Sequence, residues 1–110
     1  MDEIVRRSQL RKPCDEPVEV YAVATGIVIA EARMLDVSLS GCRIRLSREL
    51  KAGMRCHLRL KGPEGSFDLS FRVMREAPRA DDADGRIYGL AFDLDGDGLK
   101  QLRRFVNKLK

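Results

Sequence analysis

The chain has 110 residues, of which 44% are hydrophobic and 35% charged, with a formal net charge of +4; this is enough for one globular domain with a single modest core. No stretch approaches the roughly 20 apolar residues that span a bilayer, and the polar N-terminus lacks the apolar segment of a secretory signal. We therefore expect a cytoplasmic protein without membrane insertion, whose basic balance suits an anionic partner.

The first 15 residues are polar and basic, and we interpret residues 1–15 as a flexible lead-in before a single domain of residues 16–110. They contain RRSQLRK, from Arg6 to Lys12, which carries four positive charges. Pro13 and Pro17 bracket an acidic pair and favour an extended, non-helical chain at this point.

The middle of the chain has the pattern of β-strands. Residues 18–38 are rich in Val, Ile and Thr and have Gly26 as a natural turn, which predicts two strands. Residues 42–46, 54–61 and 66–76 alternate apolar and polar side chains, so each predicts a strand with one face in the core. The residues predicted to point inward are Cys42, Ile44, Leu46, Met54, Cys56, Leu58, Leu60, Phe67, Leu69, Phe71 and Val73.

The last part of the chain adds a strand and changes period. KGPEG at 61–65 predicts a hairpin turn, PRADDADG at 78–85 a polar loop, and RIYGLAFDL at 86–94 a sixth strand. Residues 98–110 have apolar side chains at helical spacing and predict an amphipathic helix with a basic outer face. The pattern as a whole predicts an all-β fold with a terminal helix: a six-stranded antiparallel β-barrel with a C-terminal α-helix.

The segment DLDGDG, from Asp93 to Gly98, matches the opening of a calcium-binding loop. The twelfth position of such a loop needs a bidentate Glu, and here it is the cation Arg104. We interpret the acidic residues as helix capping, with Asp97 as the N-cap.

No catalytic constellation is found in the sequence. His57 is the only histidine and has no carboxylate and nucleophile in a triad pattern, and no phosphate-binding glycine loop is present. The chain has three cysteines, Cys14, Cys42 and Cys56. Their odd number argues against a disulfide framework, and the lack of C-x-x-C spacing argues against a zinc site, so we expect reduced thiols. We expect a protein that is not an enzyme and that has neither a metal nor a cofactor.

Two short motifs remain. Arg7 and Arg11 form an R-x-x-x-R pattern, for which the alternative is a solvated basic tail. Residues 36–41 form D-x-S-x-x-G, which places the side chains of Asp36 and Ser38 on the same side of an extended segment; the alternative is an ordinary Asx or serine turn between two strands.

The order of these features resembles the PilZ domain family. The resemblance consists of R-x-x-x-R near the N-terminus, D-x-S-x-x-G about 25 residues later, barrel strands, YGLAF in the last strand and a terminal helix. It covers nearly the whole chain. It implies a β-barrel that binds cyclic di-GMP, a bacterial second messenger, and passes the signal to a partner protein as an adaptor.

The resemblance also implies roles for individual residues. Arg7 and Arg11 would clamp phosphate and guanine, since a guanidinium offers a planar fork of donors. Asp36 and Ser38 would receive a guanine, and Gly41 would leave room for it. A third arginine, Arg6, goes with two intercalated ligand molecules in PilZ-like proteins, so we expect two cyclic di-GMP molecules per site.

The expected mechanism is that the ligand orders the arginine segment over the barrel and so creates a new surface for a downstream protein. That partner would belong to motility, exopolysaccharide or surface-fibre machinery. Two alternatives stay open: a PilZ-like module for protein–protein interaction alone, and a basic nucleic-acid-binding barrel. The low aromatic content of 5%, with no Trp, argues against nucleic acid.

Overall fold

The computed structural model describes residues 12–22, 25–62, 65–77 and 85–109. The six strands are β1 (Lys12–Ala22), β2 (Val28–Val37), β3 (Gly41–Leu46), β4 (Arg55–Gly62), β5 (Gly65–Ala77) and β6 (Arg86–Phe92), and the helix is α1 (Gly96–Lys108). The strands form a closed antiparallel barrel in the order β1-β2-β3-β6-β5-β4. This confirms the predicted fold class.

The barrel interior is filled by the inward face of each strand, because successive side chains of a strand point to opposite sides. Met34, Ile44 and Leu58 have no exposed surface at all. The inward residues predicted from the alternation are buried, apart from Met54 and Phe67, which are half-buried and pack against the core. Removing one such Leu or Ile side chain costs about 2–5 kcal/mol.

The helix packs onto the barrel through Leu102, Phe105 and Val106, which belong to the same core cluster as the strands. The Phe105 ring meets Phe67 of β5 edge-on, with centroids 6.0 Å apart. The apolar helical spacing seen in the sequence is therefore the spacing of the buried face.

The N-cap of α1 is Asp95, and the predicted cap at Asp97 was wrong. The Asp95 side chain accepts a hydrogen bond from the backbone N–H of Gly98 at 2.8 Å, and Asp97 lies in the first helical turn. The apolar period starts only at Leu99, so the sequence pattern placed the helix start too late. Within the described ranges no group of acidic, His or Cys side chains is arranged to hold a metal ion.

The first strand starts at Lys12, so residues 12–15, which the sequence assigned to the lead-in, belong to the barrel. Lys12 and Pro13 pair with Val37 and Asp36 of β2, and β4 joins β1 only from Glu19 onward. The Lys12 ammonium donates to the carbonyl of Val106 in the last turn of α1 at 3.2 Å, where the helix dipole favours a cation.

Candidate functional site

The D-x-S-x-x-G segment comprises the end of β2, the connecting residues 38–40 and the first residue of β3, and we call residues 36–41 the motif turn. Its backbone closes with a hydrogen bond from the Ser38 N–H to the Gly41 carbonyl at 2.8 Å. The buried Ser38 Oγ also accepts from the N–H groups of Ser40 at 3.2 Å and Gly41 at 3.3 Å. The motif turn therefore has the geometry of a serine turn, and the hydroxyl fixes its shape.

Asp36 lies at the end of β2 with 6% of its surface exposed. Its Oδ2 accepts a hydrogen bond from Nε of Arg43 at 2.6 Å, and the Arg43 side chain is 47% exposed. The two residues are direct cross-strand partners in the β2–β3 hairpin. Arg43 thus holds the Asp36 carboxylate in one orientation at the edge of solvent through a charge-assisted hydrogen bond.

Arg43 was not identified as a site residue from the sequence. The alternation of CRIRL placed it on the outer face of β3, but its partner was not evident. A turn closed between Ser38 and Gly41 puts residue 37 opposite 42 and residue 36 opposite 43. The signal available in the sequence was therefore the spacing of Asp36 and Arg43 on either side of the turn.

Gly41 is required by the contact between β3 and β6. A Cβ atom at this position would collide with the backbone carbonyl oxygen of Leu90, the residue before Ala91, which is the cross-strand partner of Gly41. The glycine therefore has a structural reason, namely the close approach of two backbones. Its role in leaving room for a ligand stays a prediction.

The start of the described chain lies beside the motif turn. Lys12 is paired with Val37 and Pro13 with Asp36, so β1 begins next to the carboxylate. The other predicted site residues, Arg6, Arg7 and Arg11, lie outside the described residues. Arg11 directly precedes Lys12 in the sequence, and Lys12 is the cross-strand partner of Val37 in the motif turn.

Cys14 on β1 also lies close to this site. Its thiol is half-buried and donates to the Met34 carbonyl at 3.5 Å. Burial, together with the carboxylates of Glu16, Asp36 and Asp15, raises the pKa of Cys14 to about 11. The thiol therefore stays protonated at neutral pH, which makes it a poor nucleophile. None of the three thiols, Cys14, Cys42 and Cys56, is joined in a disulfide.

His57 lies on the outer face of β4, away from the motif turn. Its Nδ1 is 3.4 Å from Ser70 Oγ, and its ring is 6.2 Å from that of Tyr21. The Tyr21 hydroxyl donates to Asp68 Oδ1 at 2.7 Å, and Arg59 donates to the same oxygen at 3.0 Å. This cluster joins β1, β4 and β5 and is separate from the motif turn.

The family model described as PilZ domain matches residues 5–108. Comparison with curated protein sequences gives no significant match. No described helix is long and apolar enough to cross a membrane.

Three solved structures have a similar fold. The PilZ domain of CeSA from a cellulose-synthesising bacterium has a TM-score of 0.70 at 20% identity, covering 89% of this chain and 95% of that one. The PilZ domain of YcgR from Escherichia coli with c-di-GMP has a TM-score of 0.74 at 18% identity, with 94% and 91% covered. The Bacillus subtilis inhibitor of motility MotI/DgrA has a TM-score of 0.65 at 16% identity, with 94% and 52% covered.

Proposed function

The chain belongs to the PilZ domain family, and from this membership and the geometry of its motif turn we propose that it is a receptor for cyclic di-GMP. The observation that carries the proposal is the register of β1 on β2. It places Lys12, which follows Arg11 in the chain, opposite Val37 and next to Asp36. This register supports a site to which both motifs contribute, although about 25 residues separate them in the sequence.

The chemistry of this site suits a guanine dinucleotide. The Asp36 carboxylate, oriented by Arg43, is an acceptor for the N1–H and N2–H₂ donors of guanine, a pair that adenine lacks. Arg7 and Arg11 supply planar donor forks for phosphate oxygens and for guanine O6 and N7. The similarity in fold to a PilZ domain determined with c-di-GMP supports the same ligand class.

In this proposal the ligand orders the arginine segment over the barrel, and the ordered segment creates a surface for a downstream protein. Ordering a residue costs about 1–2 kcal/mol, so several charge-assisted contacts are needed to offset the cost for residues 6–11. The function is binding and signal transfer, without covalent chemistry. The similarity to an inhibitor of motility supports a regulatory role.

The proposal is tested by calorimetric titration of the purified protein with cyclic di-GMP, with cyclic di-AMP and GTP as controls. We expect micromolar or tighter binding to cyclic di-GMP alone. Asp36→Ala, Arg7→Ala and Arg11→Ala should each weaken it at least about tenfold, roughly 1.4 kcal/mol. Binding of the Arg11→Ala variant at wild-type affinity would contradict the clamp.

The same titration distinguishes the alternatives. Absence of both heat and a thermal shift with cyclic di-GMP would leave an interaction-only PilZ barrel. Binding of nucleic acid with a steep salt dependence, and without preference for the dinucleotide, would indicate the nucleic-acid-binding barrel.

The number of bound ligands depends on Arg6 in this proposal. We propose two cyclic di-GMP molecules per site, because Arg6 adds a third guanidinium to the pair Arg7 and Arg11. The molar ratio in the titration should be two for the wild type and should fall for Arg6→Leu. A ratio that is the same for both proteins would contradict the intercalated pair.

A further inference from the structure

A continuous row of outward-facing positions leads from the motif turn across three further strands. Asp36 of β2 is paired with Arg43 of β3, Arg43 with Gly89 of β6, and Gly89 with Arg75 of β5. Neighbouring strands are about 4.8 Å apart, so the Cα atoms of Arg43 and Arg75, which lie two strands apart, are separated by about 10 Å. Between them lies a residue with no side chain.

Along this row the outward-facing residues of β6 are small, so they form a shallow depression on the barrel surface. Tyr88 and Leu90 point into the core, so Gly89 and Ala91 face outward, and both are small. A Cβ added at Gly89 would have only one neighbour, the Arg75 carbonyl oxygen at 4.0 Å, and no positive φ requires glycine here. Unlike Gly41, Gly89 therefore has no evident packing or backbone reason to be glycine.

The far edge of this surface is basic. Arg72 is paired with Ala91, and Arg75 with Gly89, and both arginines are exposed. Neither guanidinium group makes a hydrogen bond or ion pair with any residue that the structure describes. A cavity of about 450 Å³ adjoins Arg72 and Ala91 and is also lined by Arg55, the cross-strand partner of Arg72.

We define the basic trough as the floor formed by Gly89 and Ala91 with its edges, Arg43 on β3 and Arg72 and Arg75 on β5. We propose that the basic trough is the second half of the nucleotide site, in which Arg72 and Arg75 bind phosphate groups of a cyclic dinucleotide that lies across Gly89. This inference rests on the proposed function and extends the site from the motif turn to β5.

The proposal follows from charge and shape together. A dinucleotide held at Asp36 by one guanine is larger than the motif turn, so the rest of the ligand must lie on a neighbouring surface. The trough begins at Arg43, the partner of Asp36, and its floor lets a flat ligand approach the backbone of β6. Guanidinium groups at the far edge then meet phosphate oxygens in a bidentate geometry.

The first test is calorimetric titration of Arg72→Ala and Arg75→Ala with cyclic di-GMP. Each variant should bind at least about fivefold more weakly than the wild type, because a charge-assisted contact is lost. The matched control is Arg103→Ala, which removes the same charge from the exposed face of α1. It should bind within about twofold of the wild type.

The second test is Gly89→Val, which fills the trough without removing a charge. Valine favours strands and the added Cβ has space, so thermal stability should be unchanged or higher while cyclic di-GMP affinity falls at least about tenfold. A loss of affinity accompanied by higher stability cannot arise from unfolding.

The outcomes separate this inference from the proposed function. If the wild type binds, Asp36→Ala binds weakly, and Arg72→Ala, Arg75→Ala and Gly89→Val all bind like the wild type, the trough is not part of the site and only this inference is overturned. If the wild type itself does not bind cyclic di-GMP, the proposed function is overturned and the inference with it.

Discussion

Two glycines of the barrel have different surroundings, and the fold requires only one of them to be glycine. Gly41 lies where the backbone of β3 passes so close to the carbonyl of Leu90 that a Cβ has no space. Gly89 faces open space on the outer face of β6. Sequence patterns contain both glycines, but only the three-dimensional register shows which one the fold requires.

At this scale we predict that Gly41→Ala destabilises the protein by about 1–3 kcal/mol, because β3 and β6 must move apart to accommodate the methyl group. The matched control Gly89→Ala should change the free energy of unfolding by no more than about 0.5 kcal/mol. Urea unfolding followed by circular dichroism measures both. Equal stability of the two variants would contradict the close approach at Leu90.

The candidate site was partly predictable from single residues. Asp36 and Ser38 were selected because their types suit a guanine ligand, and the serine turn was the open alternative. The turn geometry is now observed, with Ser38 binding the backbone of Gly41. Arg43 was missed because its importance depends on which residue lies opposite it, and a one-residue change in register would place it elsewhere.

Among the elements, α1 shows how a helix start is set by a cap more than by the apolar period. Gly96 and Gly98 lie in its first turn, and both are poor helix formers. Asp95 compensates by accepting the N–H of Gly98, and Asp97 contributes only its charge near the helix dipole.

We therefore predict that Asp95→Ala lowers the free energy of unfolding by about 1 kcal/mol, because an N–H at the start of α1 loses its acceptor. Asp97→Ala should cost only about 0.3 kcal/mol, since it removes an exposed charge. Thermal unfolding of the two variants in parallel gives the difference. A larger loss of unfolding free energy for Asp97→Ala than for Asp95→Ala would indicate that Asp97 is the N-cap.

The start of β1 was misplaced for a different reason. Pro13 and Pro17 lack a backbone donor, and such residues are rare inside a central strand. In the described structure the first part of β1, before Glu19, pairs only with β2. A strand that is bound on one side tolerates prolines, and whether a strand has one neighbour or two is a property of the sheet that local sequence does not contain.

For the whole molecule, closure of the barrel depends on a short contact between β1 and β4. Among the described residues, four pairs join these strands, from Glu19–Arg59 to Ala22–Cys56. The cluster of Tyr21, Arg59 and Asp68 spans this contact: the Arg59 guanidinium is 4.7 Å from the centre of the Tyr21 ring, and both residues donate to Asp68. Side chains thus reinforce a contact between strands in which the backbone pairing is short.

This arrangement predicts a loss of stability at alkaline pH. Burial, and then the hydrogen bond to Asp68, raises the pKa of Tyr21 from 10.0 to about 12. Below pH 10 the stabilisation is fully present; between pH 10 and 12 the unfolded chain loses the proton more readily than the folded one, so the free energy of unfolding falls.

Urea unfolding of the wild type and Tyr21→Phe across this range measures the effect. The wild type should be more stable below pH 10, and the difference should shrink towards pH 12. A difference that does not change with pH would mean that the Tyr21 proton is not involved. The comparison with Tyr21→Phe is needed because other groups also titrate at high pH.

The hydrogen bond between Lys12 and the carbonyl of Val106 has a further consequence. It brings the first described residue and the last turn of the helix to within 3.2 Å of each other, although 94 positions separate them in the chain. A circular permutant that links the start of β1 to the end of α1 would therefore need only a short connection. Lys12 also pairs with Val37, next to Asp36, so the start of β1, the last turn of α1 and the motif turn lie at the same end of the barrel.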